Sequence, residues 1–284
     1  MTTPSFRGRR VLALESRRAK EIATLIRNLD GDPLVAPSLR EVPLESNTEA
    51  LDFAASLIRG DFDIVVFLTG VGARALVEVV GKQSPREPFI AALARTRVAV
   101  RGPKPLAVMR ELDVPVWIVA PEPNTWRELV AAIDARVNES PLRDARVAVQ
   151  EYGVSNAELL DALRQRGAQV TRVPVYQWAL PEDLEPLKQA VTAITQGAID
   201  ILILTSGVQL AHLFHVAGEM GLADETGRGL AATVIASIGP TTSEEVERRG
   251  LHPDLTASHP KMGVLVREAA EQSGDLLLMK SAAR

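Results

Sequence analysis

Several places in this 284-residue chain put chemically useful side chains where α/β proteins do their chemistry. In Ile238-Gly239-Pro240-Thr241-Thr242, two hydroxyls follow a Gly-Pro turn. The small and β-branched run 233–238 predicts a strand before the turn. The stretch ending at Arg248-Arg249-Gly250 predicts a helix after it, with cations in its last turn and Gly at its stop. Backbone N–H groups at such a helix start lack intrahelical partners and suit an anion. Glu244 and Glu245 stand three residues after Thr241 and Thr242, so either threonine is expected to head a capping box. Arg101-Gly102-Pro103-Lys104 is a second Gly-Pro turn, flanked by two cations. Solvated charge is the ordinary reading of Arg101 and Lys104, and anion contact is the functional one. Thr69-Gly70-Val71 and Thr205-Ser206-Gly207 each follow a fully apolar run, and Arg17 follows the first strand in Ser16-Arg17-Arg18. Tyr176 is one of only 2 tyrosines, so its place in a Pro-containing extended stretch stands out. Its phenol could pack or could donate a proton, and the residues alone leave both open.

Other chemistries find less support. Gly70-Val71-Gly72-Ala73-Arg74-Ala75 fits a dinucleotide-binding fingerprint, but no acidic residue ends the next strand. The chain has no Gly-rich loop ending in Lys-Ser/Thr, and no cofactor is expected. His212, His215 and Glu219 could share a helix face, and a solvated face is a better reading than a metal site. There is no cysteine, which excludes disulfides, thiolate ligands and thiol nucleophiles. A net charge of −4 gives no global attraction for nucleic acid or an anionic membrane. No apolar run reaches the ~18 residues of a membrane helix, and no signal-like segment opens the chain, so a cytoplasmic location is expected.

The elements that must position these residues alternate. Apolar runs at 11–14, 64–68, 98–100, 114–119, 147–150, 201–204, 233–238 and 255–256 predict buried strands. Helical spacing recurs at 16–29, 48–58, 73–80, 85–95, 106–112, 125–137, 156–166, 184–195, 208–217, 242–249 and 263–272, the second of these capped by Ser46 or Asn47. Residues 273–284 give no clear pattern. The stretches 34–44 and 169–180 carry prolines and suit edge strands or linkers. Gly70 and Gly207, Gly102 and Gly239, and Pro123 and Pro260 are all 137 positions apart, and Gly31 and Gly167 are 136 apart. The fold class expected is therefore α/β: two similar parallel-sheet lobes, an internal pseudo-repeat, joined by a two-stranded linker. Every turn named above would lie at a strand's carboxyl end, where such sheets bind ligands.

Ile238-Gly239-Pro240-Thr241-Thr242, Val175-Tyr176, the strand ends Leu68-Thr69-Gly70-Val71 and Leu204-Thr205-Ser206-Gly207-Val208, and residues 250–260 together resemble the uroporphyrinogen-III synthase family. The likeness covers most of the chain. It departs from the family's pattern after the first strand, where Ser16-Arg17-Arg18 replaces Arg-Pro, and at Thr205-Ser206, which lacks a Ser-Pro-Ser-type turn. The resemblance implies a discontinuous lobe of residues 1–36 and 178–284, a second lobe of 42–170, and linker strands at 37–41 and 171–177. Two sequential lobes divided near residues 138–141 are the plainer alternative. It further implies a monomeric, cofactor-free lyase of haem biosynthesis. That enzyme would cyclise the linear tetrapyrrole hydroxymethylbilane, losing water and inverting the last pyrrole ring. Tyr176 would act as the acid. Arg17, Thr69, Gly70, Val71, Arg101, Lys104, Thr205, Ser206, Gly207, Thr241 and Thr242 would bind substrate. The rival expectation is a non-catalytic two-lobed binding or regulatory protein, and a nucleotide-sugar transferase is a more distant one.

Overall fold

The computed structural model describes residues 4–43, 47–136, 141–151, 153 and 155–282. The chain opens with β1 (Arg10–Ala13), α1 (Ala19–Asn28), β2 (Asp32–Val35) and β3 (Arg40–Pro43). It continues through α2 (Thr48–Arg59), β4 (Ile64–Phe67), α3 (Gly70–Gln83), α4 (Glu87–Arg95), β5 (Arg97–Val100), α5 (Pro103–Glu111) and β6 (Ile118–Val119). Then come α6 (Trp126–Asp134), β7 (Arg146–Glu151), α7 (Ala157–Gln165), β8 (Gln169–Pro174) and β9 (Tyr176–Ala179). The last third holds α8 (Glu185–Thr195), β10 (Ile201–Leu204), α9 (Gly207–Glu219), α10 (Ala223–Ala232), β11 (Val234–Ser237), α11 (Pro240–Arg248), β12 (Leu255–Thr256) and α12 (Met262–Ala282).

The described residues form an α/β fold with two five-stranded parallel sheets and 12 helices, and β3 and β9 make a separate two-stranded sheet. The chain divides into two compact units, Met1–Arg40 with Ala179–Arg284, and Glu41–Trp178. The first unit's sheet runs β12-β11-β10-β1-β2, and the second's runs β6-β5-β4-β7-β8. All pairings within both are parallel, so each sheet gathers its carboxyl ends along one edge.

Strand residues alternate between faces with period two, and both faces are covered. In the first unit, Leu12, Leu202, Leu204 and Ile235 join a core with α8, α9, α10 and α11. Val11, Ala13, Ile201, Ile203, Val234 and Ala236 join another with α1 and α12. In the second unit, Val65, Phe67, Val98, Val100 and Ala148 pack with α2 to α5. Ile64, Val66, Ala99, Val147 and Val149 pack with α6 and α7. This two-sided burial explains why the central strands read as continuous apolar runs.

Several expectations need correction. The helix read at 73–80 begins at Gly70, because Thr69 caps it by accepting from Gly72 N at 3.0 Å. The strand read at 114–119 shrinks to Ile118–Val119, with Val114 instead packing in the core around α5. Ala223–Ala232 is a helix with no counterpart in the sequence reading; it buries only Thr226 and Leu230, so its apolar period is weak. The unassigned tail extends α12 to Ala282, where Lys280 Nζ meets Asp254 Oδ2 and the Thr233 carbonyl, each at 2.7 Å. Asn47 stands at the N-cap of α2 without a side-chain capping bond; Ser46 lies outside the described residues. Residues 138–140, where the alternative boundary falls, also lie outside them.

Candidate functional site

Strand order places the candidate residues. In the first unit the chain moves from β1 to β2 on one side and from β10 through β11 to β12 on the other. The order therefore reverses between β1 and β10, the point where parallel sheets leave a ligand crevice at the carboxyl ends. In the second unit the same reversal falls between β4 and β7.

At the β1/β10 reversal, Thr205 and Ser206 follow β10 and Gly207 starts α9. The carboxamide Oε1 of buried Gln209 reaches back and accepts from Thr205 N at 2.8 Å and Ser206 N at 3.2 Å. Its Nε2 donates to Thr205 Oγ1 at 2.8 Å, and that hydroxyl donates to Glu15 Oε2 at 2.6 Å. Arg18 N donates to Glu15 Oε1 at 3.2 Å, while the Arg18 side chain is paired with Glu21. Ser16 Oγ accepts from Ser38 N at 3.1 Å and Leu39 N at 3.0 Å, closing the end of β1 against the following chain. Arg17 is exposed here.

At the end of β11 the structure overturns the capping boxes expected of Thr241 and Thr242. Gly239 is the N-cap of α11, and Pro240 occupies the first turn. Pro at the first helical position fixes φ in the helical range, so the helix starts before either threonine can cap it. Thr241 is exposed and Thr242 buried, with Thr242 N bonded to Gly239 O at 3.0 Å. Glu245 pairs instead with Arg248 and Arg249. Nor does Gly239 make a left-handed turn: its φ of 171° is extended backbone. A Cβ added there would meet nothing within 4 Å, so the start of α11 stands clear of protein on that side. The helix is anchored below by hydroxyls, Ser243 Oγ lying 2.6 Å from Ser237 Oγ and 2.8 Å from Thr256 Oγ1.

In the second unit, Thr69, Gly70 and Val71 start α3 at the β4/β7 reversal, and Arg101 and Lys104 flank the start of α5. A Cβ on Gly70 would lie 2.8 Å from the Lys104 carbonyl oxygen, and one on Gly72 would lie 2.1 Å from Gln150 Nε2. Both glycines of the dinucleotide-like pattern are thus filled by protein neighbours. Lys104 is exposed. Arg101 is half-buried, and among the described residues its guanidinium has no ion pair or side-chain hydrogen bond; burial pushes its pKa below the ordinary arginine value. Tyr176 opens β9, and its side chain lies outside the described part of the structure.

Sequence reasoning passed over Glu15 and Gln209 in one unit and Gln150 and Glu151 in the other. Gln150 and Glu151 end β7 and are buried; Glu151 is held by Ser155 Oγ at 2.7 Å and Arg172 Nε at 2.8 Å. A signal existed for Gln209, since Ser206-x-x-Gln209 is a helix-start pattern. Among the described residues no three His, Cys, Asp or Glu are disposed to hold a metal. His212 Nδ1 lies 2.6 Å from the Ser38 carbonyl, and His215 pairs with Glu219 at 3.3 Å. No described helix is long and apolar enough to cross a membrane.

The model of the family described as uroporphyrinogen-III synthase HemD matches residues 20–267. The chain belongs to the uroporphyrinogen-III synthase family. Its relatives include the uncharacterized protein YjjA of Bacillus subtilis, 26% identical over 265 residues that cover 93% of this chain and 96% of that protein. A crystal structure of a mutant uroporphyrinogen III synthase from Thermus thermophilus superposes with a TM-score of 0.70 at 23% identity, covering 96% of this chain and 100% of that one. The synthetase from Helicobacter pylori gives 0.52 at 15% identity, covering 93% and 99%. At these identities the two structures establish a likeness of fold.

Proposed function

We propose that this chain is a uroporphyrinogen-III synthase, a lyase that cyclises hydroxymethylbilane with loss of water and inversion of the last pyrrole ring. The observation that carries the reading is the placement of Thr205, Ser206, Thr69 and Gly70 at the strand-order reversals of two parallel sheets, in a chain of this family. Helix starts with open approach, as at Gly239, offer N–H groups to the carboxylates of the substrate's side arms. Arg101, whose guanidinium has no ion pair among the described residues, and Lys104 on the first turn of α5 add charge at the end of β5. Arg17, Val71, Gly207, Thr241 and Thr242 complete the proposed substrate contacts, and Tyr176 is the proposed acid for departure of the hydroxyl. The shared 137-residue offset and the corresponding strand orders of the two sheets support reading the units as copies of one unit.

Freshly prepared hydroxymethylbilane incubated with the purified protein tests the proposal. The III isomer should form, and Tyr176→Phe should form it at least about 100-fold more slowly while retaining affinity for uroporphyrin III. Only the spontaneous I isomer from wild-type protein, with uroporphyrin still bound, would replace the enzyme with the rival binding or regulatory protein.

A further inference from the structure

The hydrogen bonds at the β1/β10 reversal have a fixed direction. Gln209 Oε1 accepts from two backbone N–H groups, Thr205 N and Ser206 N, which identifies the other carboxamide atom as the nitrogen. That nitrogen donates to Thr205 Oγ1, so the Thr205 hydroxyl must turn its own hydrogen to Glu15. The relay runs from Gln209 through Thr205 and ends on a carboxylate. It consumes the Thr205 N, Ser206 N and Thr205 hydroxyl donors, all nearest the end of β10. The adjacent Arg18 guanidinium is hydrogen-bonded to Glu21 and attracts Glu15 only through space. Glu15 itself is half-buried, and each of its oxygens accepts one bond, from Arg18 N and from the Thr205 hydroxyl, which leaves each with a further lone pair for a donor. At the corresponding reversal of the second unit Glu151 ends β7 and is buried, but there Arg172 Nε lies 2.8 Å from its carboxylate.

We propose that Glu15 is a specificity-determining residue: its fixed carboxylate reserves the β1/β10 strand ends for a hydrogen-bond donor of the ligand and turns ligand carboxylates away. This rests on the reading of the site as a tetrapyrrole site. A tetrapyrrole carries both kinds of group, ring N–H donors and carboxylate arms. A negative acceptor at the centre of the first unit's crevice sorts one from the other, because like charges a few ångströms apart repel while an N–H is attracted. The arms are left to α11 of the same unit, where a Cβ on Gly239 would meet nothing within 4 Å.

Fluorescence titrations of wild-type protein and Glu15→Gln with uroporphyrin III, which has eight carboxylates, and coproporphyrin III, which has four, test this. Glutamine removes the charge at nearly the same size; its one carbonyl oxygen can still accept from the Thr205 hydroxyl, and its NH2 takes the place of the oxygen that faces Arg18 N. The variant should bind uroporphyrin III about 5-fold or more tightly at low salt, gain less for coproporphyrin III, and lose the difference at high salt. Unchanged or weaker binding of uroporphyrin III by the variant overturns the proposal, as does an equal gain for both porphyrins. If Glu15→Gln lacks a cooperative melt, Glu15→Ser takes its place in the same titrations. Failure of the wild-type protein to bind either porphyrin would instead remove the tetrapyrrole reading itself.

Discussion

Arg101 is the residue whose cost and use are easiest to separate. A half-buried guanidinium without a partner among the described residues has lost hydration and gained nothing inside the free protein. Such a group persists where a ligand supplies its counter-charge. Arg101→Met keeps most of the side-chain volume and removes the charge. It is expected to stabilise the free protein by roughly 1 kcal/mol, seen as a melting temperature a few degrees higher. It should also weaken uroporphyrin III binding by about tenfold or more, the loss of one charge-assisted contact. A variant that melts lower and binds normally would make Arg101 a structural residue. Its position after a strand was legible in the sequence. Its isolation was not, because which acids lie nearby depends on tertiary packing. Glu15 was passed over for a related reason. Only strand order reveals that the residue after the first apolar run stands at a topological reversal beside Thr205.

The elements differ in what their glycines do. Gly70 lets α3 press against α5, since a Cβ would strike the Lys104 carbonyl at 2.8 Å, and backbone there cannot swing aside. Gly70→Ala should therefore destabilise by about 2 kcal/mol or more. Gly239 holds extended backbone with open space around its missing Cβ, so Gly239→Ala should melt within a few degrees of wild type. If α11 receives a carboxylate arm, that methyl intrudes on the ligand, and uroporphyrin III binding should fall several-fold. Parallel melts and titrations of the two variants check both statements, and normal binding by a stable Gly239→Ala protein would remove α11 from the site. The sequence made the Gly-Pro turns visible as helix starts but misplaced the cap of α11. It took hydroxyl–acid spacing as decisive where Pro240 had already set the first turn. Strong apolar periods, as in Ala157–Gln165 with Leu159, Leu160 and Leu163 buried, were legible. The helix Ala223–Ala232 was not, because two glycines and two buried residues leave little period to detect.

At the scale of the molecule, each unit has cores on both faces of its own sheet, and among the described residues no core cluster draws from both units. Burial is thus complete within a unit, and most of the folding free energy should be stored there rather than shared. Damage to one core then has a specific signature. Leu76 on α3 is fully buried among Phe67, Val80 and Phe89 in the second unit. Leu76→Ala should cost about 2–5 kcal/mol through lost burial and the cavity left behind. For a unit of this size that corresponds to a fall of roughly 10 °C in its own transition. Scanning calorimetry should accordingly resolve two transitions in the variant, one moved down and one near its wild-type temperature, departing from two-state behaviour. A single transition displaced as a whole would mean that the units unfold cooperatively. Stability would then be coupled across the chain despite the separation of its cores. The matching substitution Leu213→Ala, in the core on α9 of the first unit, should move the other transition, so the pair assigns each peak to its unit.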